Sequence, residues 1–214
     1  QALMSTASAS GIDVCFANPG TTELAMIDAL EKNKSIRPIL SLFEGVCSGA
    51  ADGFGRMLDR PAMTLLHLGP GFANAIANLH NARRAHSPIL NIIGDHATWH
   101  VDYDPPLASD IKSLAQPVSD WFSYAHNSNE CVTKTREAIE TCMSAPAKIS
   151  TLVVPTDVQE GNCDISRSME LKKPLTHWGF NGEKVEQLAR RLSDGDGEII
   201  IFLGTKALSE RGQN

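Results

Sequence analysis

The chain has 214 residues, 42% hydrophobic and 21% charged, with a formal net charge of −6. This is ordinary globular composition. Acidity without clustered lysine and arginine argues against a nucleic-acid partner, and no apolar run reaches the roughly 20 residues that cross a bilayer, so no membrane partner is expected.

An opening helix to about Gly11 leads to an apolar strand, Val14 to Ala17, then Asn18-Pro19-Gly20 and a helix from Thr21 to about Asn33. Pro-Gly breaks the strand, and a threonine after it is a plausible helix N-cap. A second apolar strand, Ile39 to Phe43, runs into Glu44 and a helix rich in small residues, Gly45-Val46-Cys47-Ser48-Gly49-Ala50-Ala51-Asp52-Gly53. Glycine costs helix stability, so its repetition here predicts close backbone approach, either to the sheet or to a flat ligand. Strand Ala62 to Leu68 ends in Gly69-Pro70-Gly71, a helix covers about Phe72 to Ala85, and strand Ile89 to Gly94 follows.

The segment Asp95-His96-Ala97-Thr98-Trp99-His100-Val101-Asp102-Tyr103-Asp104, followed by Pro105-Pro106, reads as an irregular loop. His96 and His100 have metal-ligand spacing only on a helix, so no metal site is assigned. A helix over Ser128 to Ser144 and a strand over Ser150 to Val154 complete the run. Short, wholly apolar strands alternating with helices predict an α/β fold, a parallel sheet with helices on both faces. Periodicity fades from Pro155 to Phe180. An amphipathic helix, Glu183 to Leu192, and a strand, Glu198 to Leu203, then open a second α/β unit.

Three successive strand ends carry polar or backbone-exposing residues, and in an open parallel sheet such ends gather on one edge, where ligands bind. Glu44 is the most informative of these residues. It stands at the mouth of a buried strand and at a helix N-terminus that favours its charge, placed to exchange a proton with a ligand. The plain alternative is an acidic residue decorating a first turn. His67 ends the third strand and reads either as a proton shuttle or as a satisfied turn histidine. Gly69-Pro70-Gly71 mimics a dinucleotide-binding turn, but Asn74 replaces the third glycine. Cys15, Cys47, Cys131, Cys142 and Cys163, odd in number and without paired ligand spacing, read as reduced thiols of a cytoplasmic protein.

Asn18-Pro19-Gly20-Thr21-Thr22-Glu23-Leu24, Leu42-Phe43-Glu44 with its glycine-rich helix, Gly69-Pro70-Gly71-Phe72-Ala73-Asn74 and Ser87-Pro88-Ile89-Leu90-Asn91-Ile92-Ile93-Gly94 occur in the order found in thiamine-diphosphate enzymes. The chain resembles the N-terminal pyrimidine-binding domain of that family over about residues 1–160, nearest to acetolactate synthase and benzoylformate decarboxylase. The resemblance implies thiamine diphosphate as cofactor and a 2-oxo acid as substrate. In the family the glutamate matching Glu44 hydrogen-bonds N1′ of the aminopyrimidine, and the cofactor then activates its own thiazolium carbon.

By the same resemblance, Asn18, Pro19, Gly20, Gly69, Pro70, Gly71 and Asn74 join Glu44 in cofactor binding. His67 is a second catalytic residue, and Thr21 and His96 face substrate. Mg2+ is expected through a diphosphate-binding domain outside the chain, a homodimer or homotetramer is expected, and a flavin (FAD) is left open. Residues 161–180 are expected as a linker and 181–214 as the start of a truncated central domain, so the chain is expected to be an inactive piece of a longer enzyme. Gly69-Pro70-Gly71 favours the synthase, whereas His67, and Thr21 at the position of a substrate-contacting serine, favour the decarboxylase. A dinucleotide-binding oxidoreductase or a non-catalytic assembly module remain more distant alternatives.

Overall fold

The computed structural model describes residues 1–164, 181–195 and 197–208. Its six strands are β1 (Val14–Asn18), β2 (Arg37–Leu40), β3 (Ala62–His67), β4 (Ile89–Asp95), β5 (Trp121–Tyr124) and β6 (Ile149–Pro155). They form one sheet in the order β2-β1-β3-β4-β6-β5, with every neighbouring pair parallel. The helices are α1 (Ala2–Ala9), α2 (Leu24–Lys32), α3 (Glu44–Leu58), α4 (Leu68–Arg84), α5 (Ile111–Ala115), α6 (Ser128–Cys142), α7 (Thr156–Glu160) and α8 (Gly182–Ser193).

Alternate side chains of the strands feed two cores, as a period of two requires. Cys15, Leu65, Ile92 and Leu152 meet Met4 of α1, Leu30 of α2 and Ile139 of α6. Leu66, Ile93 and Val153 meet Cys47 of α3, Phe72 and Leu79 of α4 and Ile111 of α5. Covered on both faces, β6 is buried along its whole length, and β3 and β4 along all but their last residues. This is the α/β architecture expected from the alternation of elements.

One polar row crosses this apolar interior. Thr64, Asn91 and Thr151 are in register on β3, β4 and β6. The Thr64 hydroxyl donates to Asn91 Oδ1 at 2.7 Å, and Asn91 Nδ2 donates to Thr151 Oγ1 at 3.1 Å. Ser119 Oγ closes the row on Thr151 Oγ1 at 2.6 Å. Each member is buried and partnered, so the row pins the strand register without leaving an unmet polar group.

Several boundaries differ from expectation. The second strand stops at Leu40 rather than Phe43, because β1 offers it partners only from Val14 to Ala17. Ser41, Leu42 and Phe43 leave the sheet, and α3 begins at Glu44 itself. α4 begins at Leu68, so Gly69-Pro70-Gly71 forms its first turn rather than a preceding loop; Pro70 suits a first turn, where its missing N–H is no loss.

The stretch between the expected strand Ile89 to Gly94 and the expected helix Ser128 to Ser144, where only a loop was expected, holds α5 and β5, and α7 forms where periodicity was expected to fade. The expected strand Glu198 to Leu203 is absent among the described residues; no neighbouring strand is present there to receive its backbone groups. Most of the expected linker, residues 165–180, lies outside the described residues.

Two compact units, Gln1–Thr176 and His177–Asn214, divide the chain. In the second, the Asn181 side chain caps α8 by accepting from the Lys184 N–H at 3.0 Å, and Val185, Leu188 and Leu192 fall on one helical face. No helix among the described residues is long and apolar enough to cross a membrane.

Candidate active site at the carboxyl edge of the sheet

The chain runs from β1 outward to β2 and then returns to β3 on the other side of β1. The strand order therefore reverses between β1 and β3, and a crevice opens beyond their carboxyl ends. Two groups of side chains gather there, one around Glu44 and one around His67.

Glu44 is the first residue of α3 and is 8% exposed. Asn74, in the second turn of α4, donates its side-chain amide to Glu44 Oε2 at 3.0 Å. The other oxygen, Oε1, makes no hydrogen bond among the described residues and lies beside Gly71, where an added Cβ would come within 3.0 Å of it. The two helices can approach this closely because their contact is built of small residues. Ser48 donates to the Ala75 carbonyl at 3.0 Å, Asn78 donates to the Gly45 carbonyl at 2.6 Å, and a Cβ at Gly45 would lie 3.3 Å from the Asn74 carbonyl oxygen. The glycines thus serve tight helix packing and also leave one carboxylate oxygen uncovered.

His67 is the last residue of β3, and Leu68 after it has φ 53°, a left-handed conformation that costs a leucine strain. That turn sends the chain from strand to helix within one residue. The imidazole lies against Gly20, in space that any side chain at position 20 would fill. Nδ1 lies 2.8 Å from Oε2 of Glu23 and 3.2 Å from the Thr22 hydroxyl.

Glu23 is wholly buried, closing the 3-10 turn Thr21–Glu23. It accepts from the Gly20 N–H at 2.7 Å and from the Thr22 hydroxyl at 2.6 Å, and its Oε1 abuts Gly94 of β4. Gln159 of α7 steadies the same turn, donating to the Thr22 and Val154 carbonyls, each at 2.8 Å. Burial is the chief cause that raises the Asp95 carboxyl above its usual range, and the nearby Glu23 charge adds to it, while the His96 N–H and ring oppose it.

The expected site residues do not all fall together. Glu44, Gly71 and Asn74 form one group and Gly20 and His67 the other, joined by the first turn of α4; Asn18 and Pro19 are half-buried on the approach to Gly20. Pro70 is exposed, and Gly69 abuts Ser109, so its missing side chain admits that loop. Thr21 is exposed at the start of the 3-10 turn, and it is Thr22 that reaches the His67 ring. His96 lies beyond β4 in a cleft of about 560 Å³ shared with Asp95, Tyr124 and His126. Its Nε2 is buried without a partner there, and its ring meets His100 edge-on at 5.6 Å. No group of three or more His, Cys, Asp or Glu among the described residues is arranged to hold a metal.

Sequence reasoning missed Glu23, Gln159 and Asp95. For Glu23 a signal was present: a carboxylate three residues after the strand-breaking glycine is the spacing that folds back onto the N–H opening a turn. All five cysteines are free, and burial raises Cys131 and Cys142 to about 12, far from thiolate chemistry at neutral pH.

Comparison with known proteins bears on the family and the fold. Residues 1–120 match the family model of the thiamine pyrophosphate enzyme N-terminal TPP binding domain. Over 158 residues, 74% of the chain, it is 49% identical to a protein of Mycobacterium tuberculosis named as the acetolactate synthase large subunit IlvX. It is 30% identical over 148 residues, 69% of the chain, to benzoylformate decarboxylase of Pseudomonas aeruginosa. These stretches cover 30% and 28% of the two relatives, so the chain matches under a third of their length. The fold is that of the Rhodococcus jostii thiamine diphosphate-dependent 4-hydroxybenzoylformate decarboxylase, with TM-score 0.82 at 22% identity over 90% of this chain and 37% of that one. The chain belongs to the thiamine pyrophosphate enzymes, its residues 1–120 matching their N-terminal TPP binding domain.

Proposed function

We infer that the chain is the pyrimidine-binding part of a thiamine-diphosphate enzyme of acetolactate synthase type, acting on pyruvate by decarboxylation and carboligation. The observation that carries this reading is Glu44: a buried carboxylate with one oxygen tied to Asn74 and the other uncovered beside Gly71. A ring nitrogen delivered to Oε1 would meet a largely buried carboxylate already held in orientation by Asn74. Bound thiamine diphosphate supplies the nucleophilic carbon that adds to a 2-oxo acid and accepts the electrons released with carbon dioxide. Glu44 shares a proton with the cofactor's ring nitrogen, Gly71 and Gly45 keep its surroundings slim, and Asn74 holds it in place. His67 carries protons to and from the substrate-derived oxygen through Nε2, the nitrogen that makes no hydrogen bond among the described residues.

A second reading, a benzoylformate-type decarboxylase, is favoured by His67, because a free aldehyde is released only after a carbon has been protonated. The full-length protein carrying this chain, given pyruvate or benzoylformate, distinguishes the two: acetolactate supports the synthase, benzaldehyde without carboligation the decarboxylase. Loss of turnover in Glu44→Gln with the fold retained is expected under both. Mg2+ and the cofactor diphosphate are assigned to a domain outside this chain, and the enzyme is assigned to the cytoplasm. A homodimer or homotetramer accounts for Leu40, Leu42, Phe43 and Val46, an exposed apolar run beside Glu44.

A further inference from the structure

We propose that Glu23 is the positioning residue of His67: it sets the tautomer and the direction of the ring, so that Nε2 carries the lone pair turned to the substrate. This rests on the proposed proton-transfer role of His67. Glu23 is wholly buried, and as a carboxylate it offers only acceptors. The Gly20 N–H and the Thr22 hydroxyl already donate to it, and the remaining short contact is His67 Nδ1 at 2.8 Å from Oε2. An ionised carboxylate in that place is tolerable only while its hydrogen bonds are met, and the third must come from Nδ1–H.

The neutral ring is therefore protonated on Nδ1, opposite to the form a free imidazole prefers in water, and Nε2 is the base. The same contact holds the ring down on Gly20, where the lack of a side chain gives it room. Thr22 completes the arrangement, since its hydroxyl donates to Glu23 Oε1 and leaves its own lone pairs toward Nδ1 at 3.2 Å. A buried carboxylate that fixes a histidine's tautomer for the nitrogen opposite is a general catalytic device. Here it is assembled from the ends of β1 and β3, the two strands that flank the reversal in strand order.

Two measurements test this. In the 214-residue chain, imidazole nitrogen chemical shifts of His67, recorded at a pH where the ring is neutral, are expected to show Nδ1–H. In Glu23→Gln, whose amide N–H can donate to Nδ1, the Nε2–H form is expected to gain. In the full-length enzyme Glu23→Gln is expected to lower kcat by about 100-fold or more with thiamine-diphosphate affinity unchanged, and adding His67→Ala is expected to reduce it no further. A wild-type ring protonated on Nε2 overturns the proposal, and needs no variant to fold. Independent, multiplying losses in kcat for the two substitutions also overturn it, because a merely structural Glu23 would not act through the ring. Full activity in Glu44→Gln would instead refute the cofactor reading and leave the Nδ1–H assignment standing.

Discussion

Gly94→Ala should be among the most damaging single-methyl additions in the sheet. Gly94 is buried in β4, and an added Cβ would lie 2.5 Å from Glu23 Cδ and 2.7 Å from Cγ, with Oε1 closer still. Glu23 cannot swing aside freely, because it is wholly buried and bound to the Gly20 N–H, the Thr22 hydroxyl and His67. Accommodating the methyl means shifting the strand, at about 1–3 kcal/mol for overpacking, or giving up at least one hydrogen bond to a charged group, at about 1.5–3 kcal/mol. With both contributing, the expected loss is about 3–5 kcal/mol, which at about 2–4 °C per kcal/mol for a domain of this size lowers the melting temperature by about 10 °C. Urea unfolding of the wild type and variant measures it. Gly94→Ala in a Glu23→Ala background should cost much less than in the wild type, because the obstructing carboxylate is gone. A Gly94→Ala cost below about 0.5 kcal/mol, or an equal cost in both backgrounds, would refute the packing argument.

Gly20→Ala is expected to spare the fold but displace the imidazole, because the clashing atoms belong to a partly exposed side chain; His67 resonances should move while the unfolding midpoint changes little. Asp95→Asn is expected to stabilise the fold at neutral pH. The folded carboxyl holds its proton to higher pH than the ordinary 3.8, so the folded state binds more protons, and stability falls as pH rises from there through the raised folded value. The gain from asparagine should therefore be present at pH 7 and gone below about pH 3.8, as urea midpoints at the two pH values would show. Phe72→Ala, which empties the wholly buried centre of the α3 and α4 face, is expected to cost about 3–5 kcal/mol in the same assay.

The interior of the fold was readable in the sequence because its strands are buried on both faces. Ala62 to Leu66 and Ile89 to Ile93 are continuous short runs that only a covered parallel sheet accommodates. The edges were harder. Trp121–Tyr124 is four half-buried residues pairing with β6 alone, so its signal was the aromatic content of Trp-Phe-Ser-Tyr rather than a hydrophobic run, and it passed as loop. Glu44 was legible because a lone carboxylate follows an apolar run and precedes glycines. For Glu23 the turn-closing spacing was legible but its pairing was not, because nothing local says that His67, 44 residues away, returns to the same turn. The chain reversal that joins them is a property of strand order, which adjacent residues do not encode.

The central claim is that Glu44 activates bound thiamine diphosphate, and hydrogen–deuterium exchange at the cofactor's thiazolium carbon reads that step before any substrate is present. In the full-length enzyme saturated with cofactor, Glu44→Gln is expected to slow this exchange by about 100-fold or more relative to wild type. Exchange at the wild-type rate in a folded, cofactor-saturated Glu44→Gln variant would contradict the assignment.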